Sequence, residues 1–242
     1  VYDGTVLTKT DGVTWSGLPE GFTVEATSSG NQKDAGSSAN IVDDGYVIRN
    51  KYEVDITANF TNVTKVDGTL TVKKAPVTIK TGSAEKEYDG SPLTKDEASI
   101  TGLVNGETAT VKATGSQTEV GSSTNSYSIN WGATDSNNYE ITEELGTLKV
   151  TENATAEVKL IAADAEKVYD GTALTKTDGV TWSGLPAGFT VVATSSGSQT
   201  NAGSSANVVN DGYVIKDGNG NDKTANFTNV TKVDGTLTVK KA

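Results

Sequence analysis

The chain has 242 residues, a net charge of −11 and no Cys, His or Met; its one arginine is Arg49. These absences exclude disulfide scaffolds, Cys/His metal centres, cysteine nucleophiles and histidine-dependent acid–base chemistry. The acidity and the single guanidinium argue against nucleic acid and anionic membrane surfaces as partners.

Apolar residues make up only 34% and aromatics 6%. The excess lies in Thr, Gly, Ser and Asn, which favour strands and turns over helices. No apolar run approaches the ~18 residues of a membrane span, and no signal-peptide pattern is present. The lack of an initiator Met marks a processed chain or an excised segment.

The dominant feature is a repeat. Val1–Ala75 and Val168–Ala242 align at a constant offset without gaps and agree at about 60 of 75 positions. A divergent copy lies between them, with EYDGSPLTK at Glu87–Lys95, VKATGSQ at Val111–Gln117, GSSTNSYSI at Gly121–Ile129, NYEI at Asn138–Ile141 and GTLKV at Gly146–Val150. Tyr2, Tyr88 and Tyr169 are therefore equivalent. We divide the chain into repeats at 1–75, 76–156 and 157–242, with net charges of −3, −7 and −1. The junctions near Ala75-Pro76 and Glu152–Ala156 are short, which predicts limited articulation.

In chain order, the first repeat begins directly at its YDG and alternates apolar residues at Phe22/Val24, Tyr46/Ile48 and Leu70/Val72. The second opens with PVTIKTGSAEK before its YDG and alternates at Tyr127, Ile129 and Trp131. The third opens with EVKLIAADAEK and alternates at Phe189/Val191, Tyr213/Ile215 and Leu237/Val239. Period 2 throughout, with Asp-Gly turn signals between runs, predicts strands. Leu160–Glu166, the best short helix candidate, also reads as strand. The first repeat thus lacks one strand that the other two possess, and its edge is expected to be unpaired. The expected fold is all-β: three tandem small β-sandwich-like domains in an elongated array. The alternative is β-grasp-like domains with one short helix each.

Candidate sites are few. The YDG tyrosines Tyr88 and Tyr169, with Trp131, are candidates for ligand contact, because an aromatic beside a carboxylate suits a glycan. The competing reading of YDG is a strand-end anchor followed by a turn with positive φ. Trp15 and Trp182 are equivalent and Ile100 takes their place in the middle copy, which predicts a buried apolar position. Asp217, Asn219 and Asn221 alternate oxygen ligands as a calcium loop does, although Thr228 stands where a bidentate Glu belongs. Lys9, Lys95 and Lys176 are candidates for an autocatalytic Lys–Asn isopeptide bond, with no Asn assignable by motif. No acid/base pair for an enzyme is evident, and no cofactor is expected apart from calcium.

The order YDGT-x-LTK, Gly-rich middle, then NF or NY leading to GTLTV or GTLKV resembles the YDG/MBG-type repeats of large bacterial surface proteins and adhesins. The chain departs from the frequent AG-x-Y of that group at Ala35-Gly36-Ser37-Ser38 and Ala202-Gly203-Ser204-Ser205. The resemblance implies an extracellular, β-rich, non-enzymatic module on a bacterial, Gram-positive cell surface. Its expected role is that of stalk or spacer repeats holding a distal domain away from the cell wall. A glycan- or host-protein-binding adhesin module is the alternative. Expected partners are neighbouring repeats of the same monomeric chain, and possible external ones are a glycan or a host surface protein.

Overall fold

A computed structural model describes residues 1–104 and 106–242. The chain is all-β: short strands joined by turns, with three single-turn 3-10 segments at Thr57–Asn59, Ser136–Asn138 and Thr224–Asn226 and no α-helix among the described residues. The β-grasp alternative therefore falls, because no segment carries the 3.6-residue apolar period that would seat a helix on a sheet.

The third repeat shows the complete plan. Its opening strand Val158–Ile161 is flanked on both edges. It runs parallel to Val230–Val233 and antiparallel to Thr181–Ser183. The chain then forms the hook strand Ala165–Val168, which runs parallel to the closing strand Gly235–Lys240. The closing strand pairs on its other edge with Gly203–Val209. Period-2 alternation turns Val158 and Leu160 inward, where both are fully buried. They meet Val191, Val209, Ile215 and Phe227 in one cluster. The middle repeat follows the same plan. Its opening strand Ala75–Thr81 lies between Tyr139–Glu144 (parallel) and Ala98–Thr101 (antiparallel). Its hook strand Ala84–Glu87 lies parallel to Thr147–Thr151.

The first repeat keeps Thr23–Glu25 paired with Val47–Arg49, and Gly36–Val42 paired with the closing strand Gly68–Val72. It has no opening strand among the described residues. The counterparts of that strand's two neighbours, residues 14–16 and 63–66, form no strand. Within these residues, the two segments that flank the opening strand in the third repeat have unpaired counterparts in the first.

The tryptophan expectation needs correction. Trp15 and Trp182 are 50% and 41% exposed. Trp182 sits opposite Leu160 on an outer strand of its sheet, and a side chain this large is covered there on one side only. The chain clusters into two compact units. One comprises Val1–Thr81, Glu97–Ala113 and Tyr127–Leu145; the other comprises Gly82–Asp96, Thr114–Ser126 and Gly146–Ala242. The middle repeat thus supplies segments to both.

Truncating the opening strand should be costly where it is present. Leu160→Ala is expected to destabilise the third repeat by about 2–5 kcal/mol, as for other buried leucines, read from urea unfolding. In hydrogen exchange of the intact chain, amides of Gly68–Val72 should exchange faster than those of Gly235–Lys240. Equal protection would contradict the weakness assigned to the open edge.

Candidate functional site: tyrosine joints between repeats

The YDG element is a rigid corner. Each tyrosine amide donates to a carbonyl at the end of its repeat's closing segment: Tyr2 to Lys73 (2.7 Å), Tyr88 to Thr151 (2.8 Å) and Tyr169 to Lys240 (2.8 Å). The following aspartate caps the turn. Asp3, Asp89 and Asp170 each accept from the backbone N–H and hydroxyl of the residue two positions on. The glycines between have φ near +80°, a conformation that glycine adopts freely. In the second and third repeats an ammonium joins the turn, Lys86 on Asp89 at 2.6 Å and Lys167 on Asp170 at 2.7 Å. Burial works against ionisation of Asp89, but the Lys86 and Ser91 hydrogen bonds outweigh it and hold the carboxyl down at about 2.

From this corner the rings of Tyr2 and Tyr88 reach residues of the next repeat. The receiving residue comes directly after the 3-10 turn: Tyr139 in the second repeat and Phe227 in the third. An Asx turn shapes each site. Asp135 accepts from Asn137 N–H, and Asp222 accepts from Thr224 N–H. In the third repeat the Thr224 hydroxyl also accepts from Ile215 N–H (2.9 Å), tying the turn to the core.

At the first joint Tyr2 is buried and meets Tyr139 edge to face, centroids 5.8 Å apart. Trp131 stacks on Tyr139 at 5.6 Å, and Leu103 and Val104 close the apolar side. Glu107 draws the two phenols together: Tyr2 donates to its Oε1, and Tyr139 donates to its Oε2 at 2.5 Å. The hydrogen bond to Glu107, burial and the carboxylate's charge push the Tyr2 phenol up to about 12. Burial, then the same hydrogen bond, raises Tyr139. Asn138 adds a second tie, accepting from Ala35 N–H (2.7 Å) and donating to Asp34 (3.0 Å).

The second joint uses aromatic faces in place of the acid. Tyr88 is 1% exposed. It packs edge to face on Phe189 and Phe227, each 5.9 Å away, and those two rings pack on each other at 5.2 Å. Such pairs add about 0.5–1.5 kcal/mol each beyond burial. Glu119 and Lys223 pair at 2.8 Å beside this joint. The connection is pinned as well: Asn153 donates its side-chain N–H to the Tyr88 carbonyl (2.9 Å), its backbone N–H donates to Asn226 O (2.8 Å), and its carbonyl accepts from Thr228 N–H (3.0 Å).

Tyr169, the third member of the set, is 44% exposed. Trp131 and Tyr88, both expected as ligand contacts, therefore sit in packed joints, and Tyr169 lies open. The remaining candidates lie apart from the joints. Asp217 accepts from the N–H groups of Asn219 and Asn221 and from the Asn221 side-chain amide, so its oxygens close a hairpin tip. Among the described residues no group of three acidic side chains converges to hold a metal. Lys9 and Lys176 turn their ammonium groups to Asp11 (2.5 Å) and Asp178 (2.7 Å). It is the backbone carbonyls of Lys9 and Lys95 that meet an asparagine, accepting from Asn40 and Asn125 at 2.9 and 2.8 Å.

Those asparagines are residues that sequence reasoning misses. Asn40, Asn125 and Asn207 are buried equivalents. Each ties its strand to neighbouring backbone, Asn125 to the Gly82 carbonyl and Asn207 to that of Ala163, both at 2.9 Å. The available signal is a Ser-Ser pair followed shortly by Asn in all three copies.

The three equivalent tyrosines should respond unequally to truncation. Tyr88→Ala is expected to cost about 3–5 kcal/mol, the range for buried aromatics, whereas Tyr169→Ala should stay within about 0.5 kcal/mol, both read from chemical unfolding. The first joint should also titrate. The folded Tyr2 phenol ionises later than an unfolded one, so its contribution is complete below about pH 10 and is lost as pH rises toward 12. Comparing urea midpoints of the native chain and Tyr2→Phe across about pH 9–12 isolates this step. Parallel curves for the two proteins would refute it.

No curated protein and no solved structure matches the chain. Residues 77–149 match the family model of the MBG domain (YGX type). That span runs from the opening strand through the Tyr88 corner and the 3-10 turn into the closing strand, so the similarity to the MBG domain falls on the middle repeat.

Proposed function

We propose that these are structural spacer repeats of a bacterial surface protein, projecting a distal functional domain from the cell wall, with no catalytic role. The observation that carries this reading is the fate of the YDG tyrosines. Tyr2 and Tyr88, aromatic residues beside a carboxylate, are taken up in joints between successive repeats. A module that commits its recurring aromatic corner to its neighbour is built for connection. The linker at Asn153 is likewise held by several hydrogen bonds, which limits articulation there and suits a part that transmits position. The excess of acidic side chains keeps such a surface soluble and resistant to self-association.

The test separates spacing from binding. In a cell-wall-anchored fusion carrying a binding domain at its tip, deleting the middle repeat should shorten the reach of the tip and leave its intrinsic affinity unchanged. The isolated 242-residue chain should give no saturable signal on a glycan array or with purified extracellular-matrix proteins. A saturable signal abolished by Tyr169→Ala would overturn the spacer reading in favour of an adhesive module.

A further inference from the structure

A second contact accompanies the tyrosine at each joint. It comes from the loop that precedes the strand Gly36–Val42, with counterparts before Gly121–Thr124 and Gly203–Val209. In all three copies a glutamine clamps that loop. Gln32, Gln117 and Gln199 each donate a side-chain N–H to the carbonyl of the residue two positions on, Asp34, Glu119 and Asn201, at 2.7 Å. The backbone of each glutamine is bridged in turn to Leu7, Leu93 or Leu174, in the segment that follows YDG. The frame is thus constant, and the residue it presents varies.

The presented residue meets the 3-10 turn of the following repeat. At the first joint Asp34 and the Ala35 N–H meet Asn138. At the second, Glu119 accepts from Lys223 Nζ at 2.8 Å, and Asp217 lies 3.9 Å from the same ammonium. The Lys223 side chain is only 14% exposed, so this pair is partly shielded from salt and water. Lys223 and Asp135 occupy the same place, the N-cap of their 3-10 turns. Asp135 folds its carboxylate onto its own turn, accepting from Asn137. Lys223 makes no such cap, and Asp222 takes over that role, which leaves the ammonium for Glu119. The first repeat has Ile56 at this place, and Asn50 where Asp217 stands. Its presented residue differs too, Asp34 against Asn201. The two near-identical repeats therefore diverge at the positions that carry these contacts.

We propose that Glu119 and Lys223 are selector residues that fix which repeat follows which. The clamped loop of the middle repeat takes a successor whose 3-10 turn is N-capped by a cation, a repeat of the third kind. A second middle repeat would set Asp135 against Glu119, carboxylate against carboxylate. A repeat of the first kind would offer Ile56, which has no group to pair. Attraction to the right neighbour combined with repulsion of a wrong one is how a contact becomes specific. Charge complementarity of this sort fixes register more than strength; the rings around Tyr88 supply the burial. The inference concerns the order of repeats and holds whether or not the array serves as a spacer.

The experiment makes Lys223→Ile and Lys223→Asp, the residues of the other two copies, in the intact 242-residue chain. It reads hydrogen exchange at the Asn153 and Thr228 amides, whose hydrogen bonds tie the connection to the third repeat. Exchange should quicken by up to about fivefold for Lys223→Ile and by more for Lys223→Asp, with the amides of Gly203–Val209 unchanged. Glu119→Lys alone should quicken it as well. Combining Glu119→Lys with Lys223→Asp restores opposite charges and should reverse most of the loss, a rescue that simple packing of the lysine stem would not give. Equal exchange in the Ile and Asp variants, or no rescue in the double variant, would each overturn the proposal.

Discussion

A single strand with two neighbours holds each complete repeat together. Val158–Ile161 is short, yet both its edges are paired and its inward side chains are wholly buried. Sequences this poor in apolar residues form only a small core, so domains of this size depend on placing each aliphatic side chain where several sheets converge. The first repeat shows the same core positions without that strand beside them. It retains Ile48 and Leu70 as buried residues, but Val24, Phe22 and Phe60 are only half covered. Residues 14–16 and 63–66, with nothing to pair against, fall out of the sheet.

The joints show one corner adapted to two receivers. Tyr2 and Tyr88 leave their repeats at the same backbone position, yet one finds a carboxylate shared with a second phenol and the other finds a pair of phenylalanines. The receivers differ because their surroundings differ. The middle repeat has Ala109 near the place where the others have Phe22 and Phe189, and it fills the space with Trp131 and Glu107 instead. A polar joint is directional and pH-sensitive, whereas an aromatic one is tolerant of small displacements. The same hook can thus be paired with receivers of different character without altering the hook.

Strand positions are legible in the sequence because burial on one face leaves a strict period of two, as at Phe189/Val191 and Leu237/Val239. The opening strand is legible because two copies display the same apolar alternation before their YDG. The role of the tyrosines is not, since Tyr88 and Tyr169 share the YDG element and differ in burial; the rings that cover Tyr88, Phe189 and Phe227, lie about 100 residues or more further along the chain, which no local pattern encodes. Trp131 reads as a ligand surface for the same reason, its stacking partner Tyr139 lying in a different strand. An Ile at the equivalent position of the middle copy suggests that Trp15 and Trp182 are inside, but an outer strand can carry either residue half covered. Asn40, Asn125 and Asn207 escape notice because asparagine in a Ser-rich run reads as turn composition, although its burial in all three copies makes it a fastener.

The parallel pairing of opening and late strands has a temporal consequence. Val158 lies beside Val230, and Ala165 beside Leu237, so partners meet across a stretch of 72 residues (230 − 158 and 237 − 165). Contacts this distant in sequence are slow to form, because the intervening chain must be closed before they can stabilise anything. As such a chain leaves the ribosome, each repeat must wait, with its most apolar segment uncovered, until its closing strands emerge. Over that interval the nearest matching sheet belongs to an older sibling. Two identical repeats placed side by side would offer each other's opening strand a matching sheet; in this chain a divergent copy stands between the two near-twins.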